Sequence, residues 1–241
     1  MYDLEHFSSS EMTKCGIALR KLGADAQSME EAANNIVRYL YEELGDRQTA
    51  EPACALVRFY KTHAYGELPP ELRDFARGIL DGNDPPPTTK CLTLLATVGE
   101  RPAWNARQTS IGHQAIPLAS PELVARLPMI SQLIKQFGIE VETLLAADPA
   151  RMVDLTERTF NVFYVPDAVG SPSVPAQAEF VIPSSIRSVL GFGGVLPSSD
   201  LFAIILFSKA PISRETAEMF KPLALNVKVA LLPFDGETIF A

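Results

Sequence analysis

The chain is most constrained by its last quarter, where an unbroken apolar run lies between a turn and a helix. Leu201–Phe207 (LFAIILF) is apolar at every position, so a strand there needs cover on both faces. The turn at Pro197–Asp200 joins this run to Val189–Leu196, which predicts an antiparallel pair. Ser213 supplies the cap of one long closing helix that continues to Leu232 with apolar residues at helical spacing. The pattern therefore requires a sheet with a covering layer on each face.

Two N-terminal helices are predicted within residues 1–45. Ser8 with Glu11, and Ser28 with Glu31, each fit a capping box, in which both side chains satisfy backbone N–H groups at the start of a helix. Apolar residues follow both caps at spacings of three and four, so each helix has one apolar stripe. The two stripes need a surface to cover, and the sheet provides it.

Other segments are rich in strand-forming residues and predict the rest of the sheet. They are Ala53–Lys61, Cys91–Val98, His113–Leu118 and Phe160–Val165, with a short extended piece near Phe180–Ile182. A short helix is predicted at Leu68–Leu80. A longer helix begins at Ser120, and Pro128 within it should kink the helix or split it in two.

The order of these elements predicts an α+β fold with a central, mostly antiparallel sheet of about five or six strands. The N- and C-terminal helices flank the sheet, and loops with the helix from Ser120 cover its other face. We expect residues 1–241 to form one domain: a helical pair at 1–45, the sheet, loops and inserted helix at 53–210, and the closing helix at 213–232. A cavity between sheet and loops is where such folds hold ligands.

Composition excludes several classes of function. A hydrophobic content of 47% with 21% charged residues is typical of a folded chain. The formal net charge of −8 and the lack of a basic patch argue against a nucleic-acid partner. The sequence contains no apolar run of about 18 residues, so it predicts no membrane span. The N-terminus lacks the basic and then apolar order of a secretory signal. Three widely spaced cysteines suit a reducing compartment, so we expect a cytoplasmic protein.

No set of residues suggests catalysis or metal binding. The sequence contains no HExxH, CxxC or clustered-carboxylate motif. Cys15, Cys54 and Cys91 lie in apolar patterns, where cysteine behaves as a small buried hydrophobe. The glycines of Gly191–Gly194 lie within a strand, so they indicate a bulge or a close approach to the sheet rather than a phosphate-binding loop. We therefore expect neither catalytic residues nor metal ligands, and no enzyme.

The loop Gly99–His113 is the best candidate for the rim of a ligand pocket, because it joins two strands and combines aromatic surface with directional polar groups. The candidate ligand-binding residues are Trp104, Asn105, Arg107 and His113, with Tyr60, Tyr164 and Phe192 from neighbouring strands. The plain alternative is a solvated connection with Trp104 packed against the core. A single histidine is more often a structural residue than a ligand, and aromatic strand residues are more often core.

Six segments resemble the GAF-like N-terminal sensory region of bacterial multidomain signalling proteins. They are ACALVRFYKTH (53–63), KCLTLLATVGERPAWN (90–105), IGHQAIPL (111–118), FNVFYVPDAVGSP (160–172), EFVIPSSIRSVLGFGGVLP (179–197) and LFAIILFSKAPISRETAEMF (201–220). In such proteins the GAF-like module precedes PAS and histidine-kinase domains. The chain lacks the kinase phosphoacceptor helix, the NKFDE-type signature of cyclic-nucleotide GAF domains and the Cys-His pair of bilin attachment.

The resemblance implies a cytoplasmic sensory domain that binds a small ligand, forms a homodimer through terminal helices and signals to an output module such as a histidine kinase. Leftover apolar positions on the closing helix, Leu225 and Val229, would favour the dimer. One alternative is a ligand-free dimerisation or protein-interaction module. Another is a haem- or metal-based gas sensor that uses His113. The sequence identifies neither the ligand nor a cofactor.

Overall fold

The structure is a computed structural model that describes residues 1–47, 49–110, 112–146, 161–237 and 239–240. Its strands are β1 (Tyr2–Asp3), β2 (Leu44–Gly45), β3 (Cys54–Ala64), β4 (Lys90–Gly99), β5 (Ala115–Pro117), β6 (Asn161–Val165), β7 (Ser188–Val195) and β8 (Leu201–Ser208). Its helices are α1 (Ser9–Leu19), α2 (Met29–Glu43), α3 (Pro70–Ile79), α4 (Pro121–Ala125), α5 (Pro128–Gln136), α6 (Val141–Ala146), α7 (Arg214–Glu218) and α8 (Lys221–Leu231).

Six strands form one antiparallel sheet in the order β5-β4-β3-β8-β7-β6. The pairing of β7 with β8 runs from Ser188 opposite Ser208 to Val195 opposite Leu201, which confirms the antiparallel pair predicted on either side of the Pro197–Asp200 turn. The long strands β3 and β8 lie side by side at the centre of this sheet. The two-residue strands β1 and β2, which the sequence did not predict, pair separately and in parallel.

Helices α1, α2 and α8 cover one face of the sheet, and that face is called the helix face below. Its core includes Phe59, Phe202 and Phe220, all fully buried. Capping starts α1 and α2 where the sequence predicted. The Glu11 N–H donates to Ser8 Oγ at 3.3 Å and the Ser8 N–H donates to Glu11 Oε2 at 2.9 Å, which completes the capping box of α1.

The opposite face, called the loop face below, is covered by α4, α5 and the segment 166–187. Its core joins Ile205 of β8 to Leu133 of α5 and Val181 of that segment, all buried. The architecture confirms the predicted α+β class, with an antiparallel six-stranded sheet, helices on one face and a covered second face. In the parts of the chain that the structure describes, no helix has the length and apolar character needed to cross a membrane.

Two prolines divide helices that the sequence pattern shows as continuous. Pro128 separates α4 from α5, the second of the two outcomes predicted for it. The single closing helix predicted over 213–232 was wrong in one respect, because Pro222 starts a new helix after α7. Proline has no N–H to donate and clashes with the preceding turn, so it is tolerated only in the first turn of α8.

Other boundaries also differ from prediction. The extended piece expected near Phe180–Ile182 is a π-helical turn at Gln177–Val181. The strand expected from His113 begins at Ala115, because His113 itself has a left-handed backbone with φ of +57°. The strand expected from Phe160 begins at Asn161 within the described residues; Phe160 lies outside them.

The glycines of β7 mark a close approach of backbone to backbone, one of the two interpretations that the sequence allowed. A Cβ atom on Gly193 would lie 2.0 Å from the carbonyl oxygen of Phe202 in the neighbouring strand. The β7–β8 register runs without interruption through this point. Gly193 therefore allows a close strand contact and does not form a bulge.

Candidate functional site

A cavity of about 420 Å³ lies on the loop face of the sheet. Its lining comes from β3, β5, β8, the loop after β4, the α4–α5 junction and the segment 166–187. The lining residues are Leu56, Arg58, Tyr60, Arg101, Trp104, His113, Ile116, Leu127, Pro128, Met129, Ile130, Val174, Pro175, Ala176, Glu179, Phe180 and Phe207. The volume falls in the range of small-molecule sites, and most of the lining is apolar, as it is in such sites.

Strand β3 supplies the polar floor of the cavity through its alternation. Side chains two residues apart lie on the same face of a strand, so Leu56, Arg58 and Tyr60 all reach the loop face. The intervening residues, Val57 and Phe59, belong to the core under the helices. One strand therefore presents a guanidinium and a phenol to the cavity while it anchors the opposite core.

Arg58 is a buried cation with neutral partners. Only 8% of its surface is exposed. Its Nη2 donates to Ser110 Oγ at 2.8 Å and its Nη1 donates to Tyr60 Oη at 3.2 Å. Within the described residues its Nε is buried without a hydrogen-bond partner and no carboxylate forms an ion pair with it. The cavity therefore contains a positive charge that no described residue neutralises.

Three aromatic rings form one wall of the cavity. Trp104 meets Phe180 edge to face at a centroid distance of 5.5 Å, and Phe180 meets Phe207 in the same way at 4.9 Å. The Arg101 guanidinium lies 4.7 Å from the centroid of the Trp104 ring, at the rim. Edge-to-face contacts and a cation over a ring both fix ring orientation, so the wall is a defined surface.

Gln177 holds the segment that carries Phe180. Its Nε2 donates to the carbonyls of Ala168 at 2.9 Å and Val174 at 2.6 Å, and its Oε1 accepts from the Gly170 N–H at 2.8 Å. These bonds satisfy backbone groups of a segment that has no strand partner. They fix the part of the cavity wall that comes from outside the sheet.

His113 lines the cavity and is exposed. Desolvation and then the nearby Arg58 charge hold the pKa of its imidazole below the ordinary value, so the ring is neutral at physiological pH. A neutral imidazole can accept a hydrogen bond or ligate a metal. The described part of the chain contains no group of three His, Cys, Asp or Glu residues that could hold a metal ion.

The structure brings Tyr60, Trp104 and His113 together in this cavity and places the other four candidate residues elsewhere. Asn105 fixes its own turn, because its Oδ1 accepts from the Gly99 N–H at 3.0 Å. Arg107 is buried and directed to α2, where its Nε donates to Glu30 Oε1 at 3.0 Å.

Tyr164 and Phe192 belong to the helix face of the sheet. The Tyr164 hydroxyl donates to the Ile212 carbonyl at 2.5 Å. Phe192 is fully buried, with its ring centroid 5.4 Å from that of Phe220. Side chains alternate along a strand, and the apolar strands carried no signal of which set reaches the loop face.

Sequence reasoning missed Arg58 and Phe180. A signal existed for Arg58, because it alternates with Leu56 and the candidate Tyr60 in the same strand. The sequence predicts an extended piece at Phe180, and the place of this residue in the cavity depends on a π-helical turn that no local pattern indicates.

The three cysteines lie away from the cavity and are buried and free. Burial raises the pKa of Cys15, Cys54 and Cys91 to about 12 in each case. These thiols are therefore protonated at neutral pH, and a thiol in that state is a poor nucleophile.

No protein-family model matches the chain, and no curated protein matches it. Among solved structures, it is similar to a free methionine-R-sulfoxide reductase from Neisseria meningitidis in complex with its substrate, at 13% identity and a TM-score of 0.48, over 94% of this chain and 96% of that one. It is also similar to the GAF domain of a phosphoenolpyruvate-protein phosphotransferase from Coxiella burnetii. That match has 13% identity and a TM-score of 0.46, and it covers 95% of this chain and 96% of that one. The chromophore-binding domain of a bacteriophytochrome from R. palustris matches at 9% identity and 0.44, over 95% and 64%.

Proposed function

We propose that this protein is a cytoplasmic sensory domain that binds a small organic ligand in the loop-face cavity and regulates an output module such as a histidine kinase. The observation that carries the proposal is the cavity itself: about 420 Å³, largely apolar, with a buried guanidinium at Arg58 and an aromatic wall. A mostly apolar cavity with few directional polar groups is the usual form of a small-molecule site.

A chain of contacts supports coupling between the cavity and the helix face. Ser110 accepts the hydrogen bond from Arg58, and Arg107, three residues earlier in the same turn, pairs with Glu30 at the start of α2. A ligand that displaces the Arg58–Ser110 bond would shift this turn and thereby the Arg107–Glu30 pair. Such a ligand regulates output only to the extent that it binds one arrangement of the helices better than another.

Ligand binding at this cavity is tested with N-phenyl-1-naphthylamine, a neutral apolar dye whose fluorescence rises when it leaves water. Ala176 and Ala178 are both exposed, but Ala176 lines the cavity and Ala178, two residues later, lies outside the lining. We expect the wild type and Ala178→Trp to bind the dye alike, and Ala176→Trp to bind it at least about tenfold more weakly, a loss of about 1.4 kcal/mol. Absence of dye binding, or equal binding by Ala176→Trp, would contradict the proposal.

A haem- or metal-based sensor is a second candidate, favoured by the position of His113 at the cavity. Haem bound through this residue would give the purified protein a visible absorption band that His113→Ala removes. Metal analysis of the same sample tests the non-haem form. A colourless protein without bound metal would contradict this candidate and leave the organic-ligand proposal standing.

A ligand-free dimerisation module is a third candidate, favoured by apolar side chains left exposed on paired terminal helices. Leu225 of α8 is 46% exposed and Ile17 of α1 is 56% exposed, and these two helices pack against each other. Val229, the other position considered for a dimer, is partly buried. Native mass spectrometry of wild type and Leu225→Asp tests it: we expect a dimer that the substitution dissociates, and a monomeric wild type would contradict it.

A further inference from the structure

We propose that the ligand is a small organic carboxylate with an aromatic body, whose carboxylate pairs with the Arg58 guanidinium. This inference rests on the proposed function, because it names the chemical class that the same cavity accepts. The juxtaposition that carries it is a buried cation, with no counter-ion among the residues that the structure describes, beside a wall of three aromatic rings.

The other buried cations of the described chain show what Arg58 lacks. Lys61, 1% exposed, donates from Nζ to Asp200 Oδ2 at 2.6 Å. Arg107, 6% exposed, pairs with Glu30 at 3.0 Å. Arg58, 8% exposed, donates hydrogen bonds to two neutral hydroxyl groups, and its buried Nε has no partner among the described residues. Burying a charge is costly unless it is paired, so a ligand that supplies the missing anion gains that pairing.

The remaining charges around the cavity favour an anion at Arg58. His113 is neutral, so it adds no competing cation. Arg101 lies at the rim over Trp104, where it adds positive potential at the entrance. Glu179 also lines the cavity but is exposed, in the segment opposite β3. The buried charge at the floor of the cavity is therefore the Arg58 guanidinium, which attracts an anionic group.

A carboxylate suits this floor better than a phosphate. A guanidinium presents a planar fork that matches a carboxylate with two parallel hydrogen bonds. Its two bonds to Tyr60 and Ser110 leave other N–H donors of the five for that purpose. A phosphate dianion would call for a second buried cation. Among the described lining residues, Arg58 is the only cation that is buried.

The aromatic wall sets the body of the ligand. Trp104, Phe180 and Phe207 provide ring faces and edges, and Ile116 and Val174 complete an apolar surround. Aromatic rings prefer edge-to-face or offset contacts with other rings. A phenyl or indole body joined to a carboxylate by a short chain therefore fits both parts of the site.

The test compares three probes that differ only in their charged end: 3-phenylpropionate, 3-phenylpropanamide and 3-phenylpropylamine. Each competes against N-phenyl-1-naphthylamine bound to the wild-type protein. Trp104, the only tryptophan in the sequence, gives a second, intrinsic fluorescence signal from the cavity wall. We expect the carboxylate to displace the dye at a concentration at least about tenfold lower than the amide, and the amine to be the weakest of the three.

Variants assign the preference to Arg58. Arg58→Gln removes the charge and keeps a donor for Ser110. We therefore expect the carboxylate and the amide to displace the dye at about the same concentration, so that the ratio of their affinities falls to about one. Arg58→Lys keeps the charge, so this variant should still bind the carboxylate more tightly than the amide. Arg101→Gln removes a cation at the rim and tests whether the anion binds there instead. Arg38→Gln removes an exposed cation of α2 that lies outside the cavity lining, and it serves as the matched control, with the ratio close to wild type. Circular dichroism checks the fold of each variant, and the wild-type probe series stands even if Arg58→Gln fails to fold.

The outcomes separate the two proposals. Dye binding with equal displacement by carboxylate and amide, or with no displacement by the carboxylate, would overturn the carboxylate inference and leave the ligand-binding function intact. Failure of the dye to bind the wild type would overturn both. A carboxylate preference that persists in Arg58→Gln and disappears in Arg101→Gln would place the anion at the rim and overturn the assignment to Arg58.

Discussion

Arg58 Nη2 donates a 2.8 Å hydrogen bond to Ser110 Oγ, and this bond joins the central strand of the sheet to the turn between β4 and β5. Ser110 is fully buried, so its hydroxyl makes no contact with bulk water. The bond holds a charged side chain in the cavity floor and ties that floor to the turn that also reaches α2 through Arg107. It is thus both a structural contact and a point where a ligand would act.

Removing the Ser110 hydroxyl should destabilise the protein. Ser110→Ala leaves one donor of the buried Arg58 guanidinium without its partner, and we expect a loss of about 1–3 kcal/mol in the free energy of unfolding. Urea denaturation measures it. Ser10→Ala is the control, because Ser10 is exposed in α1, and its effect should stay within about 0.5 kcal/mol. Equal stability of the two variants would show that the bond contributes nothing.

Asp200 should be far more sensitive than a surface carboxylate. It accepts 2.6 Å hydrogen bonds from the Nζ atoms of both Lys61 and Lys90. Asp200→Asn removes the counter-charge of a buried lysine, and we expect a loss of about 3–5 kcal/mol by chemical denaturation. The control is Glu100→Gln, whose pair with Lys209 is partly exposed and should contribute less than about 1 kcal/mol. Similar losses in both variants would contradict the distinction.

His63 should make stability fall as the solution is acidified below neutral pH. The residue is 1% exposed, its two ring nitrogens are buried without partners among the described residues, and its ring lies 5.2 Å from that of Phe240. Burial, and then the charge of Lys61, lowers the pKa of His63 to about 3, while Asp200 opposes the shift. The unfolded chain therefore takes up a proton first, at its ordinary pKa of about 6.5.

The expected loss of stability on acidification follows from the difference in the pKa of His63 between the folded and unfolded chain. Stability from the neutral ring is present above about pH 6.5 and is lost as the pH falls toward the folded pKa, by about 2 kcal/mol between pH 7 and pH 5. Urea denaturation at both pH values measures it, with His63→Gln expected to lose most of this dependence. His6→Gln is the matched control, since His6 is exposed beside Asp3. An unchanged pH dependence in His63→Gln would refute the assignment.

Two glycines should respond to alanine in opposite directions. A Cβ on Gly193 would lie 2.0 Å from the Phe202 carbonyl oxygen, so Gly193→Ala must separate β7 from β8 locally, at a cost of at least about 3 kcal/mol. Gly78 lies in α3 with nothing within 4 Å of the added atom. Gly78→Ala should therefore stabilise the protein by about 0.5–1 kcal/mol. Thermal unfolding of both variants checks the contrast, and loss of stability in Gly78→Ala would contradict it.

Local sequence signals predicted the elements whose cause is local. The serine caps at Ser8, Ser120 and Ser213 all accept the backbone hydrogen bonds expected of them. At Ser28 the cap forms, but Glu31 accepts from the Gln27 N–H and does not close the expected box. The backbone N–H group that the glutamate side chain can reach depends on the direction in which the preceding chain enters the helix. A four-residue pattern does not contain that information.

The candidate site was predicted in part because its polar rim lies in one loop. Trp104 and His113 stand out in the sequence as unusual residues between two strands, and both line the cavity. Arg107 stands out equally, yet it turns away to Glu30, 77 residues earlier in the chain. Composition singles out residues that can bind, but the partner of each depends on which distant carboxylate the fold brings near.

The sequence by itself determined the α+β class, the β7–β8 pair and the positions of the capped helices, because apolar periodicity and capping act over a few residues. Only the tertiary structure decided which face of each strand meets the cavity. Leu201–Phe207 is apolar on both sides, so its alternation does not identify the loop face, and a shift of one residue in register would exchange Phe207 for Leu206. That choice follows from long-range packing, and it places Arg58 in the cavity and Phe192 under the helices.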